Sequence, residues 1–242
     1  ESDIIITMLT DDKAIDDVMN SSAFLDNLKS GATVIDMSSI KPTTATKHGN
    51  NLKSKNINYL DAPVSGGTIG AEEGSLAIMV GGDKSLFDKA EVLLSSMGEN
   101  IFHAGDVGSG NVAKLINNSL AFSIMMANAE AIVLGSKAGV NPTVLWDIVR
   151  VSSGSSLTWQ GGIKNILQDR LPTAFTVDLA CKDIDLATEL AAELNMDLEM
   201  VSVTQKMLKR FQSNGLGHQD ILATIKSLED ANDVVVRGTW DK

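Results

Sequence analysis

Gly108-Ser-Gly-Asn-Val-Ala-Lys-Leu-Ile-Asn-Asn118 marks the point where the pattern of this chain changes, and its reading decides the fold. Gly108, Gly110 and Ala113 match the G-x-G-x-x-A fingerprint of a dinucleotide-binding turn, and an apolar strand, Asn100-Ile-Phe-His103, precedes them. That fingerprint requires a βαβ unit of about 30 residues whose second strand ends in an acidic residue for the ribose. Here apolar residues at helical spacing run without proline from residue 110 to 138, past Gly135, and no strand follows. The glycines are therefore read as the turn into one long helix, whose first turns lie against a ligand or a neighbouring domain.

Upstream of that turn, strand and helix alternate. Short apolar runs at Ile4–Leu9, Thr33–Met37, Ile57–Asp61, Ala77–Val80 and Asn100–His103 are separated by helical stretches beginning at Asp11 or Asp12 and lying around 43–54 and 84–96. Strands joined by helical crossovers predict a parallel, doubly wound α/β sheet of the Rossmann type. Downstream, to about residue 230, only helical periodicity is present. The expectation is a dinucleotide-binding domain over 1–107 and an all-helical domain over 108–242 that serves substrate binding and oligomerisation.

Composition narrows the function classes. A formal charge of −11 with no run of five Lys or Arg argues against a nucleic-acid partner, which requires basic residues against phosphates. One cysteine, Cys181, forms no internal disulfide, so a reducing compartment is expected and Cys181 reads as a core filler. The longest apolar runs are short and interrupted, and Glu-Ser-Asp precedes the first strand, so neither a membrane span nor a signal peptide is expected. The location expected on these grounds is cytoplasmic. No His/Cys/carboxylate cluster has metal-ligand spacing, and no histidine is signalled beside Ser65 for a hydrolase.

Three stretches carry candidate chemistry. In Asp61-Ala-Pro-Val-Ser-Gly-Gly67, Pro63 biases Ala62 towards extended geometry, and Gly66 and Gly67 leave their amides bare. With the Ser65 hydroxyl they form a donor cluster suited to a carboxylate or carbonyl oxygen; an ordinary turn is the competing reading. On the long helix, Lys114, Asn117 and Asn118 share a face. A partly desolvated ammonium held by an amide suits a reaction that needs a proton donor beside a carbonyl; a solvated helix edge is the alternative. Lys182-Asp183, within an apolar helix after Phe175, point to different sides, so that one faces a site while the other anchors it, or else the pair is solvated.

With Asp36-Met-Ser-Ser-Ile40 and Met79-Val-Gly-Gly-Asp83, these three ordered motifs resemble the β-hydroxyacid dehydrogenase family over nearly the whole chain. The resemblance implies a dinucleotide-binding domain followed by a helical one, NAD or NADP as cofactor, a small anionic substrate and a homo-oligomer. It implies Lys114 as the catalytic acid/base with Asn118 beside it. Ser65, Gly66, Gly67 and Asn117 fall at substrate-binding positions, and Phe175 and Asp183 match neighbours that position the site. Met8, Leu9, Ser39 and Lys182 fall at cofactor-binding positions. The implied reaction is hydride transfer between NAD(P)H and a semialdehyde acid or 3-hydroxyacid, with tartronate semialdehyde first, 3-hydroxyisobutyrate second, and succinic semialdehyde or glyoxylate third. The family's opening strand and G-x-G-x-x-G turn have no counterpart among these residues, so an N-terminally incomplete cofactor domain is expected, and a non-catalytic remnant or fragment that oligomerises through its helices is the alternative.

Overall fold

The computed structural model describes residues 2–171 and 174–239. They divide into two compact units, Glu1–Asn117 and Asn118–Lys242.

The first unit contains β1 (Ile4–Thr7), α1 (Asp12–Met19), α2 (Ser22–Leu25), β2 (Thr33–Asp36), α3 (Pro42–Ser54), β3 (Asn58–Asp61), β4 (Val64–Ser65), α4 (Gly67–Glu73), β5 (Ala77–Gly81), α5 (Lys84–Leu94), β6 (Asn100–Gly105) and the start of α6 (Ser109–Lys137). Local chemistry sets several of these boundaries. The Asp11 and Asp83 side chains accept hydrogen bonds from Ala14 N and Leu86 N, which caps α1 and α5, and Pro42 occupies the first position of α3, where its missing N–H costs nothing.

β1, β2 and β3 are parallel and in register, with Ile4, Thr33 and Asn58 aligned at one end and Thr7, Asp36 and Asp61 at the other. β5 runs antiparallel to β3 and β4, and β6 is parallel to β5. The sheet is therefore mixed, which corrects the all-parallel expectation. The cause lies in the link after β3. Val64 and Ser65 pair at once with Ile78 and Ala77 as a hairpin, and the seven-residue α4 between them is too short for a parallel crossover.

Alternate residues of β2 enter different cores. Val34 joins Ile15, Met19, Leu52 and Tyr59, whereas Ile35 joins Leu60, Ile78, Val80, Phe87 and Leu94. A strand covered on both faces reads as a continuous apolar run, as Thr-Val-Ile-Asp does here with all four residues buried.

The second unit contains the rest of α6, then α7 (Pro142–Arg150), α8 (Lys164–Leu167), α9 (Val177–Glu193), α10 (Glu199–Phe211) and α11 (Ile225–Asn232). Its core joins Phe122, Met126, Ala129 and Val133 of α6 to Val177, Ala180 and Ile184 of α9 and to Leu208 and Phe211 of α10. Trp146 and Trp159 each donate an indole N–H to the other's carbonyl at 3.1 Å, so two buried indoles satisfy one another. Cys181 is buried in this core, and burial pushes its thiol up to about 11, as an inert filler requires. By length and composition alone, α6 is long and apolar enough to cross a membrane, a test that a buried core helix passes equally. Its apolarity has a local cause, because one side of the helix is the spine of this core.

The contact that fixes the start of α6 is tight. A Cβ at Gly110 would overlap the Met79 carbonyl oxygen and lie 2.8 Å from the Asp61 carbonyl oxygen, so only glycine lets α6 rest on the ends of β3 and β5. Gly161, in the π-helical turn Thr158–Ile163, has nothing within 4 Å of such a Cβ. Gly110→Ala is expected to cost about 1–3 kcal/mol and Gly161→Ala to stay within about 0.5 kcal/mol. Thermal denaturation of the two variants checks this, and equal midpoints would contradict the close contact.

Candidate active site

In open α/β sheets, ligands lie beyond the carboxyl ends of parallel strands. Here those ends are braced by two buried carboxylates. Asp36, ending β2, accepts from Thr7 Oγ1 (2.9 Å), the Tyr59 hydroxyl (3.2 Å) and Ser38 N (3.1 Å). Ser38 Oγ in turn accepts from Leu9 N at 2.8 Å, which ties the segment after β1 to the segment after β2. Burial pushes the Asp36 carboxyl above the usual carboxylate range and the Tyr59 phenol well above its own. Met8 is exposed, and Leu9 and Ser39 are half-buried along this same edge.

Asp61, ending β3, holds the start of α6. Its Oδ1 accepts from Gly108 N at 2.7 Å, and its Oδ2 accepts from Asn111 N at 2.9 Å and Asn111 Nδ2 at 3.2 Å. A carboxylate there satisfies amides that have no partner inside the helix and opposes the positive end of its dipole. Asn111 Oδ1 also accepts from Ile40 N at 2.9 Å, so one side chain bridges the loop after β2 to the acid that ends β3.

One turn beyond Asn111, Lys114 is only 6% exposed, so its ammonium is not on a solvated edge. Asn117 is half-buried. The loop after β3 carries Ser65, half-buried in β4, followed by Gly66 (φ 137°) and Gly67 (φ 63°), backbone conformations that side chains rarely adopt. Both glycines are exposed.

In the second unit, Asn118 donates from Nδ2 to Asp183 Oδ2 at 2.6 Å, and Lys182 Nζ lies 2.9 Å from Asp183 Oδ1. Asp183 is 2% exposed, which excludes the solvated pair, and it meets both Asn118 and Lys182 rather than diverging from its neighbour. Phe175 packs on Phe122 with ring centroids 5.6 Å apart, and its N–H is held at 3.0 Å by Asp220, a buried acid that also accepts from Ala174 N and Leu222 N.

Sequence reasoning did not assign roles to Asp36, Asp61, Asn111 or Asp220. The available signal was an acid closing each of two apolar strands, Thr33–Asp36 and Asn58–Asp61, where a charge is costly without partners. Among the described residues no group of three His, Cys, Asp or Glu side chains could hold a metal ion.

Residues 1–105 match the family described as the NAD binding domain of 6-phosphogluconate dehydrogenase, and residues 108–228 match the family described as NAD-binding of NADP-dependent 3-hydroxyisobutyrate dehydrogenase. The chain is 39% identical over 239 residues to 2-(hydroxymethyl)glutarate dehydrogenase of Eubacterium barkeri, covering 98% of this chain and 79% of that protein. The chain belongs to the β-hydroxyacid dehydrogenase family. It is similar also to the NAD-dependent L-serine dehydrogenase of Pseudomonas aeruginosa, at 35% identity over 90% of this chain and 76% of that one. The solved 3-hydroxyisobutyrate dehydrogenase of Mycobacterium tuberculosis with L-serine superposes with a TM-score of 0.85 at 29% identity, over 94% of this chain and 80% of that chain. As a member of this family the protein is an oxidoreductase that uses NAD or NADP.

Burial pushes the Asp61 carboxyl above its ordinary value despite the three N–H groups it accepts from. A carboxyl whose folded-state value is raised holds its proton longer when folded, so between the ordinary and the raised value its contribution to stability falls as pH rises. The stability advantage of the wild-type chain over Asp61→Asn should therefore narrow as pH rises through that window and then level off. Equilibrium unfolding of both chains across mildly acidic to neutral pH checks this, and an advantage that widens with pH would contradict it.

Proposed function

We propose that this protein interconverts an aldehyde and a primary alcohol placed β to a carboxylate, with Lys114 as the acid/base. Four relatives support the substrate class through their names: 2-(hydroxymethyl)glutarate, L-serine, 3-hydroxyisobutyrate and 2-hydroxy-3-oxopropionate. Each is a three-carbon unit with a carboxylate at one end and a hydroxymethyl or formyl group at the other, and they differ in the group on the middle carbon. The proposed substrate is thus HOCH2–CH(R)–COO⁻ or its aldehyde. Tartronate semialdehyde and 3-hydroxyisobutyrate are the first two compounds to compare.

The observation that carries the reading is the burial of a lysine and an amide one turn apart on α6, Lys114 at 6% and Asn118 at 5% exposure. A buried lysine beside a held amide is the kind of pair that a proton-transfer site uses. In reduction, the carbonyl carbon gains a hydride while its oxygen takes a proton from Lys114 Nζ, and the lysine is then recharged from solvent. Asn118, fixed by Asp183, orients the reacting oxygen, and Asp183 is in turn neutralised by Lys182. The bare amides of Gly66 and Gly67 with the Ser65 hydroxyl hold the substrate carboxylate. Resemblance to the family assigns Asn117 and Phe175 to substrate binding.

The carboxyl-end edge of β1 and β2 fits a nicotinamide dinucleotide. Exposed Met8 and half-buried Leu9 and Ser39 offer an apolar and hydroxyl-bearing surface beside adjacent parallel strands. Bound NAD(P)H supplies the hydride.

Lys114→Ala is expected to lower kcat by about 10²–10⁴-fold with an unchanged circular dichroism spectrum. Near-normal turnover would contradict the assignment. A panel of hydroxyacids with NAD and NADP should give its highest kcat/KM with a compound bearing the alcohol β to the carboxylate, and a best substrate without that spacing would overturn the substrate class.

A further inference from the structure

The bond network around Asn111 has a use that the motifs do not record, and it lies wholly within the first unit. Asn111 spends both ends of its amide on different segments. Its Nδ2 donates to Asp61 Oδ2 at 3.2 Å, and its Oδ1 accepts from Ile40 N at 2.9 Å. Its own backbone N–H also goes to Asp61, so two of the three bonds to that carboxylate come from one residue. Asn111 is fully buried, and Asp61 is too. No solvent competes for these bonds, and removing either partner strands a buried polar group. Lys114 follows Asn111 by three residues on the same helix, and Ser39 precedes Ile40 by one.

We infer that Asn111, seated on Asp61, is the positioning residue that fixes Lys114 relative to the Ser39–Ile40 segment. The inference rests on the proposed acid/base role of Lys114 and deepens it. Asn111 touches no reacting atom. It acts by setting the rotation and height of the first turns of α6 against the loop after β2. A proton donor displaced by about an ångström loses on the order of a hundredfold in rate, so a single amide bond to the Ile40 N–H matters to chemistry as well as to stability. Glycine at 110 and at 81 completes the joint, since a Cβ at Gly81 would overlap Asp61 Oδ1 and lie 2.8 Å from Gly110 N.

Four chains test this: wild type, Asn111→Ala, Lys114→Ala and the double variant. Asn128→Ala serves as control, because Asn128 is a buried amide elsewhere on α6 that donates to Ser156 and Thr158. The readout independent of turnover is the titration midpoint of the Lys114 side chain, followed by its 13Cε resonance in lysine-labelled protein and assigned by its loss in Lys114→Ala. Asn111→Ala should move that midpoint and speed amide exchange at Ile40 while Val34 and Ile35 stay protected; Asn128→Ala should do neither. An unmoved Lys114 midpoint in folded Asn111→Ala would overturn the inference. Kinetically, Asn111→Ala should lower kcat about 10- to 100-fold in the wild-type background and cause no further loss in the Lys114→Ala background. Equal losses in both backgrounds would show a merely structural role and overturn it. Should Lys114→Ala itself turn over normally, the acid/base reading fails instead, and the midpoint measurement still decides whether Asn111 places the lysine.

Discussion

Asp61 puts a buried carboxylate at the N-terminal end of α6, and three N–H groups from Gly108 and Asn111 converge on it. That contact sets where the first turns of α6 lie against the sheet. Moving Asp61 out of water is costly, and burial alone raises its affinity for a proton. The offset comes from backbone amides that would otherwise lack partners, because the first turn of any helix leaves its N–H groups unbonded. One carboxylate thereby settles two local problems, and it can do so only if the helix comes very close to the sheet. Glycine at positions 81 and 110 meets that requirement.

For the proposed acid/base role of Lys114 the consequence is geometric. A lysine on a long, flexible stem is a poor general acid unless its base is fixed. Here the base is a helix clamped at its first turn, and Lys114 follows one turn beyond the clamp. Asp36 makes a related set of bonds, since accepting from Thr7, Tyr59 and Ser38 ties three parallel strands together. In the second unit Asp183 anchors Asn118 at 2.6 Å and is balanced by Lys182 at 2.9 Å. The same arrangement recurs at each of these points: a buried acid is held by fixed donors from other segments of its own unit.

Much of this was legible in the chain. The alternation of strands and helices up to residue 104, the long helix after Gly108 and the helical remainder follow from periods of 2 and 3.6 in the apolar residues, and the observed elements agree closely. The direction of β5 and β6 was not legible, because periodicity says whether a segment is a strand and nothing of which way it runs. That was decided by the pairing of Val64 and Ser65 with β5, two residues too few to leave a pattern. The apolar α6 was recognisable as a helix but not as the spine of a core, since only tertiary contacts show which of its sides is covered. Ser65, Gly66, Gly67 and Lys114 stood out as residue types unusual in their setting. Asp61 and Asn111 did not, because their importance lies in bonds between residues 50 apart in sequence.

The central claim is that one group, Lys114, gives up a proton during reduction and accepts one during oxidation. The measurement that tests it most directly is the pH dependence of kcat/KM in both directions on the same preparation. The account predicts mirror-image profiles, with reduction declining and oxidation rising as pH increases through a single shared midpoint, and neither limb surviving in Lys114→Ala. Profiles that rise and fall together, or a shared limb that persists without Lys114, would contradict it.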